Sequence, residues 1–307
     1  MNKKFVLKIM VLFFLMSCKD DDCPVPPDDG IKTLPVVVHI IHKDGEAVGE
    51  GSNLSTPRIN EQIAILNSDF RRSKWSRGWN IHPDGADAQI EFRLAAFDPN
   101  GNKSTGIRRV NGDKIEPGPG EGGDLFDWIV DYGFWPPNDY INIWVMPQEK
   151  VFFGTARMPL GSLPGLDDVA IDKVAGDGIL INTLYFGKPE DNNKVLGRTL
   201  TREMGRFLGL FNLWGKGPVD IWKCEDTDKI TDYCDDTPPV TQRTGNCTVD
   251  EVIYACDGTP ALRNNYMDYT DETCMNMFTN DQVSRMQWVL ENSPRRKSLT
   301  SSKAIKR

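Results

Sequence analysis

Histidine is nearly missing from this chain. Only His39, His42 and His82 occur in 307 residues. The first two stand three apart in a β-branched run, so a strand points them to opposite faces. A metal centre built from several imidazoles of one element is therefore excluded. Cysteines at C-x-x-C spacing are absent as well, which excludes a zinc ribbon. Basic charge is scarce: 36 Lys and Arg face 44 Asp and Glu, a net charge of −8. A nucleic-acid partner needs a basic footprint, so none is expected. There is no internal repeat, and the one long apolar run lies at the start.

That run, "FVLKIMVLFFLM" after the basic "MNKK", ends in "LMSC". It is too short for a membrane span and Lys8 interrupts it, so residues 1–17 read as a secretory signal. The last four letters have the form of a bacterial lipobox with Cys18 as the acylated residue. Removal of residues 1–17 lowers 36 basic residues to 33 against 44 acidic ones, near −11 for the mature chain. The expected location is outside the cytoplasm: lipid-anchored in a bacterial outer membrane, at the cell surface or periplasmic face. The anchor is the only membrane contact expected.

Residues 18–31 are acidic and Pro-rich, a tether with nothing to form a core. "TLPVVVHIIHK" reads as a buried strand, and "AQIEFRLAAF", "YINIWVMP", "VFFGTARMP" and "GILINTLYFG" as further strands. Ile59, Ile63, Leu66 and Phe70 recur at helical spacing behind Ser55, Thr56 and Pro57. "NNKVLGRTLTREMGRFLGLF" reads as a long helix ended by Gly209, and "TNDQVSRMQWVLENS" as a last helix capped by Thr279. The organisation expected is one unit over residues 32–292. It divides into an α/β upper part to about 209 and an irregular, disulfide-held lower part over 210–292. The basic end, residues 293–307, reads as a disordered tail.

The most informative stretch is "TREMGRFLGLFNLWG", residues 201–215. Histidines at 202, 206 and 212 would make it H-E-x-x-H-x-x-G-x-x-H, the zinc signature of a large class of peptidases. Arg202, Arg206 and Asn212 stand there instead. Guanidinium stays protonated and has no lone pair to give, and an amide oxygen is a poor zinc donor. Glu203, between the two arginines, keeps the position of a general base but has no metal-bound water to act on. Two uses of the arginines stand open: filling the vacant hole by pairing with Glu203, or offering a two-pronged site for a carboxylate.

"NYMDYTDETCMNMFTNDQVSRM" (265–286), "DYCDDTPP" (232–239), "VFFGTARMP" and the E-M-G-x-F-L-G-L helix occur in that order. Together they resemble the pappalysin and ulilysin (cytophagalysin) group of metzincin metallopeptidases, over nearly all of the mature chain. The resemblance implies an α+β fold: a twisted mixed sheet with backing and active-site helices above an irregular lower subdomain. It implies zinc-dependent peptide-bond cleavage, with Met267 under the metal and Tyr269 as a transition-state donor. It also implies a substrate-side edge strand at Gly154, Thr155 and Ala156, and disulfides Cys224–Cys256 and Cys247–Cys274, leaving Cys234 as a buried thiol. Asp232, Asp236 and Thr237 match the family's calcium loop, and an Asx-rich turn explains them equally.

The expectation is a non-catalytic member with no zinc, keeping a cleft for an extended peptide or protein segment; structural calcium is the one cofactor in view. The rival expectation is an active zinc metalloendopeptidase of extracellular proteins that uses non-standard ligands.

Overall fold

The computed structural model describes residues 30–114, 124–148, 151–216, 223–226, 230–246 and 252–305. Strand β1 (Lys32–His42) is the spine of a six-stranded sheet. Along one edge it pairs β2 (Ile90–Leu94) with its first half and β3 (Ile107–Asn111) with its second. On its other side lie β4 (Ile141–Met146), then β6 (Gly178–Asn182) and the edge strand β5 (Gly154–Ala156). All pairs are parallel except β5 with β6. β1 is buried on both faces, as its unbroken β-branched run requires. Leu34, Val36, Val38 and Ile40 enter the main core, while Val37, His39 and Ile41 enter the opposite layer.

Helix α1 (Thr56–Phe70) lays Ile59, Ile63, Leu66 and Phe70 on the sheet, and the Ser55 side chain caps it by accepting from Arg58 N. Short α2 (Leu125–Ile129) covers the opposite layer. Helix α3 (Arg198–Phe207) is shorter than the sequence spacing suggests. Gly197 holds φ +79°, a left-handed conformation that ends the upstream turns, and Gln62 Nε2 binds its carbonyl at 2.9 Å. The other end falls as expected: Gly209 has φ +93°, with Gly209 N on Arg206 O and Leu210 N on Gly205 O, both 2.9 Å. That is a Schellman closure. Helix α4 (Asn280–Asn292) begins with the expected Thr279 cap, completed as a capping box by Gln282.

Two expectations give way. The edge strand is three residues long, within the nine of "VFFGTARMP". The tail is folded: α5 (Arg296–Leu299) buries Leu299, and Ala304 receives backbone bonds from Ala96 and Phe97. Arg296 is the anchor. Its guanidinium lies 3.4 Å from the Phe207 ring centroid and holds both oxygens of Asp177, at 2.8 and 2.7 Å. Burial of Arg296 is possible because its charge is paired with Asp177, while Lys297 and Lys303 stay exposed. Between α3 and α4 the described residues form no helix or regular strand, and Cys224 is bonded to Cys256. Cys274 is disulfide-bonded too, while Cys247 lies outside the described residues, as do Cys18 and the signal segment. Cys234 is a buried free thiol, and burial pushes its pKa far up.

Candidate functional site

Helix α3 is polar in sequence yet nine of its ten residues are buried, so each buried charge needs a partner. Arg198 pairs with Asp69 at 3.3 Å, and the Thr201 hydroxyl donates to the same carboxylate at 2.8 Å. The helix start is held by Glu272, whose carboxylate accepts from Leu196 N and, at 2.8 Å each, from Thr199 N and the Thr199 hydroxyl. An acid at a helix N-terminus is favoured by the dipole. At the other end Arg296 Nε donates to Phe207 O (3.0 Å) and Arg285 Nε to Gly209 O (2.6 Å). Neither Glu272 nor these arginines stood out in the sequence, because their partners lie far along the chain.

Arg202 and Arg206 meet on Glu203. Arg202 Nε donates to Glu203 Oε1 at 3.1 Å, and its Nη2 stands 3.0 Å from the same oxygen but off the line of a hydrogen bond. Arg206 Nε approaches Oε2 at 3.6 Å. The side chains of Arg202 and Glu203 are 6% and 2% exposed, against 28% for Arg206. Arg202 is thus a buried plug and Arg206 a partly open one. The Arg202 guanidinium carbon lies 3.9 Å from the Tyr269 ring centroid, and Trp214 packs edge-on to that ring at 5.1 Å.

The other expected residues gather around this pair. A Cβ on Gly205 would come within 2.8 Å of Met267 Sδ, so the methionine lies directly beneath the helix where it has no side chain. A Cβ on Gly154 would meet Glu203 Cγ at 3.3 Å, which places the edge strand against the glutamate. Arg157 N binds Gly178 O and Asn182 N binds Phe153 O, each at 3.0 Å. Alternation then makes Thr155 a β6-bonded residue and leaves the N–H and C=O of Gly154 and Ala156 for the open edge. Asn212 is buried, bridges Gly215, and leaves its Oδ1 without a partner. A cleft of about 670 Å³ opens beside them, lined by Phe153, Tyr185, Arg202, Arg243, Tyr269 and Glu272 among others.

The remaining candidates lie elsewhere. The Thr237 hydroxyl donates to Asp232 Oδ1 at 2.7 Å, and Asp236 is tied to α4 through Asp281 N at 2.9 Å. Asp232 Oδ2 and Asp236 Oδ1 are buried without hydrogen-bond partners. Burial pushes the Asp232 carboxyl up to about 7, against the opposing bonds from Thr237 and Cys234. Two orphaned carboxylate oxygens are hard donors, the kind that calcium takes. His39 is a core residue. It stacks on Trp144 with centroids 5.7 Å apart, and burial lowers its pKa to about 3. Its Nε2 faces Asn142 Oδ1 at 3.0 Å and its Nδ1 faces Arg108 at 3.3 Å. An Arg can only donate, so the neutral ring carries its proton on Nε2.

The family model for pregnancy-associated plasma protein-A, a peptidase family, matches residues 124–291. The chain belongs to this peptidase family. An extracellular metalloprotease of Verticillium alfalfae is 26% identical over 88% of this chain and 80% of its own length. One from Arthroderma otae is 33% identical over 36% of this chain, which spans 37% of that relative. Among solved structures, mature mirolysin of Tannerella forsythia in complex with a cleaved peptide superposes with a TM-score of 0.72. It is 29% identical and covers 89% of this chain and 97% of its own. The α+β fold with its mixed sheet is therefore that of the pappalysin-like metzincins.

Zinc is the metal this family implies, and the residues here do not fit it. Where imidazole lone pairs would converge, α3 supplies two guanidinium groups that can only donate. The acceptors at hand are Glu203, whose Oε1 is held by Arg202 while its Oε2 has only the 3.6 Å approach of Arg206, and the amide oxygen of Asn212. Among the described residues no group of three or more His, Cys, Asp or Glu side chains could hold a metal ion.

Proposed function

We propose that this chain is an exported, lipid-anchored member of the family whose cleft holds an extended peptide or protein segment without cutting it. One observation carries the reading: the Arg202 guanidinium lies buried between Glu203 and Tyr269. In that place the glutamate is a counter-ion rather than a base, and the phenol is a platform for a cation rather than a donor to a reacting carbonyl. Arg202 is buried and hydrogen-bonded to Glu203, which favours its structural use over a carboxylate site; Arg206 is the more exposed of the two and makes only the longer contact. The edge strand needs no metal. Gly154 and Ala156 have backbone groups free for an added antiparallel strand, and the cleft beside them accepts side chains.

The names of the fungal relatives support export, and the lipobox at Cys18 supports the anchor. Calcium is proposed for the Asp232 and Asp236 loop, and a calcium-dependent rise in Tm that Asp232→Asn removes is its readout. The rival reading, an active metalloendopeptidase with other ligands, is separated by activity. Unfolded casein incubated with the purified chain and added zinc should be cleaved no faster than by a Glu203→Ala variant. Cleavage that depends on Glu203 would overturn the proposal.

A further inference from the structure

The connection from α1 to β2 opens with "RRSKWSRGWNIHP", residues 71–83, which carry four basic residues and no acidic one in a chain of net charge −8. Its apolar side chains face outward. Trp75 is 96% exposed, Ile81 89% and Trp79 37%. A loose loop could fold such groups away, but this one is pinned. The Arg72 guanidinium binds the carbonyls of Asn80 and His82 at 3.0 Å each, and that of Gly85. The Asn80 amide reaches Asn276 O at 2.8 Å. Arg72 and Trp75 hold φ of +43° and +67°, values that cost a side-chain-bearing residue and persist only where the surroundings impose them. The loop thus spends strain to present a tryptophan and an isoleucine to solvent.

The charges around them divide by use. Arg71 is committed to Asp87 and Glu91, and Arg72 to carbonyls. Lys74 and Arg77 are exposed, and among the described residues neither forms an ion pair. Lys74 Nζ sits 5.7 Å from the Trp79 ring centroid. Position adds a second argument. Lys32, the first residue of β1, pairs with Ile90 and donates its amide to Gln89 O, so the chain enters the body beside the base of this loop. The acidic tether and Cys18 lie immediately upstream in sequence.

We propose that residues 72–81 are a membrane-contact loop. Trp75 and Ile81 enter the headgroup region of a bilayer, and Lys74 and Arg77 engage the phosphates of anionic lipids. Tryptophan prefers that interface, and nearby cations add attraction to an anionic surface. A glycan would also stack on Trp75, but it gives no reason for an exposed Ile81. The loop would set the orientation of the body on a surface to which the anchor alone ties it loosely. The inference rests on the export reading and not on the state of the cleft.

The test uses the mature chain, residues 18–307 with Cys18→Ala, so that neither the signal segment nor an acyl group contributes, mixed with vesicles of phosphatidylethanolamine and phosphatidylglycerol at millimolar lipid. Sedimentation with these vesicles is expected, with a blue shift of tryptophan emission, weakening in salt, and little binding to phosphatidylcholine vesicles. Trp75→Ala with Ile81→Ala should lower the bound fraction by about tenfold, as should Lys74→Glu with Arg77→Glu. Their exposure predicts an unchanged Tm for both variants. Absence of vesicle binding, or equal binding by parent and variants, would overturn the proposal. So would loop-dependent binding to a soluble glycan with none to vesicles. Failure of the anchor reading shows separately, as an unacylated mass for the native chain.

Discussion

The Arg202 guanidinium lies 3.9 Å from the centroid of the Tyr269 ring while its Nε donates to the neighbouring Glu203 at 3.1 Å. One cation thereby engages two residues that the family resemblance casts as catalytic. Removing it strands a carboxylate that is 2% exposed, with only the longer contact to Arg206 left. Arg202→Ala should cost roughly 3 kcal/mol of stability, and Glu203→Ala a similar amount for the reverse reason. In urea unfolding the double variant should cost less than the sum by about 1 kcal/mol or more. Strict additivity would mean that the pair is not coupled.

Restoring the ligands asks whether the scaffold around them survives. Gly209 still turns at φ +93°, Met267 still lies under Gly205, and Glu203 is in place. Arg202→His with Arg206→His and Asn212→His should therefore bind about one zinc per chain, where the parent binds far less. If the triple variant folds and stays metal-free, the cleft has been remodelled beyond its ligands.

Acid should weaken the body through His39. Burial lowers its folded pKa from 6.5 to about 3, so between those values the unfolded chain holds the extra proton. Stability is complete above about pH 6.5 and is lost as pH falls toward 3, a change of roughly 4 kcal/mol for this one group. Other groups will add to the profile. His39→Gln should flatten this part of it, and an unaltered slope would assign the acid sensitivity elsewhere.

The C-terminal segment should behave as core. Arg296→Ala removes both bonds to Asp177 and the stacking on Phe207, leaving Asp177 to Arg295. A loss of roughly 3 kcal/mol is expected in thermal or urea unfolding. A loss under about 0.5 kcal/mol, ordinary for a surface change, would return these residues to the status of a tail.

That segment marks where sequence legibility ends. Its apolar content is little more than Leu299 and Ala304, and its burial depends on Asp177, 119 residues away from Arg296. No local periodicity carries that information. β1, β4 and β6 were legible because parallel strands buried on both faces read as apolar runs. β3, "IRRVN", was not, since each of its residues is half-buried and two are arginines. Val195 and Leu196 continue the helical spacing upstream of α3, and only the left-handed Gly197 breaks it. At the site, pairing of an arginine with Glu203 was one of the two uses that the sequence left open. The approach of Gly154 to Glu203 and of Tyr269 to Arg202 had no signal beyond the family resemblance. Glu272, which organises the start of α3, had none.

Guanidinium groups stand on α3 at the positions where the family's imidazole ligands would be. The most direct measurement is zinc content by mass spectrometry on chain expressed with zinc and purified without chelator. Far less than one zinc per chain is predicted, with no increase on dialysis against micromolar zinc followed by buffer. One tightly held zinc per chain, lost on substituting residues around α3, would restore the reading of an active metalloendopeptidase.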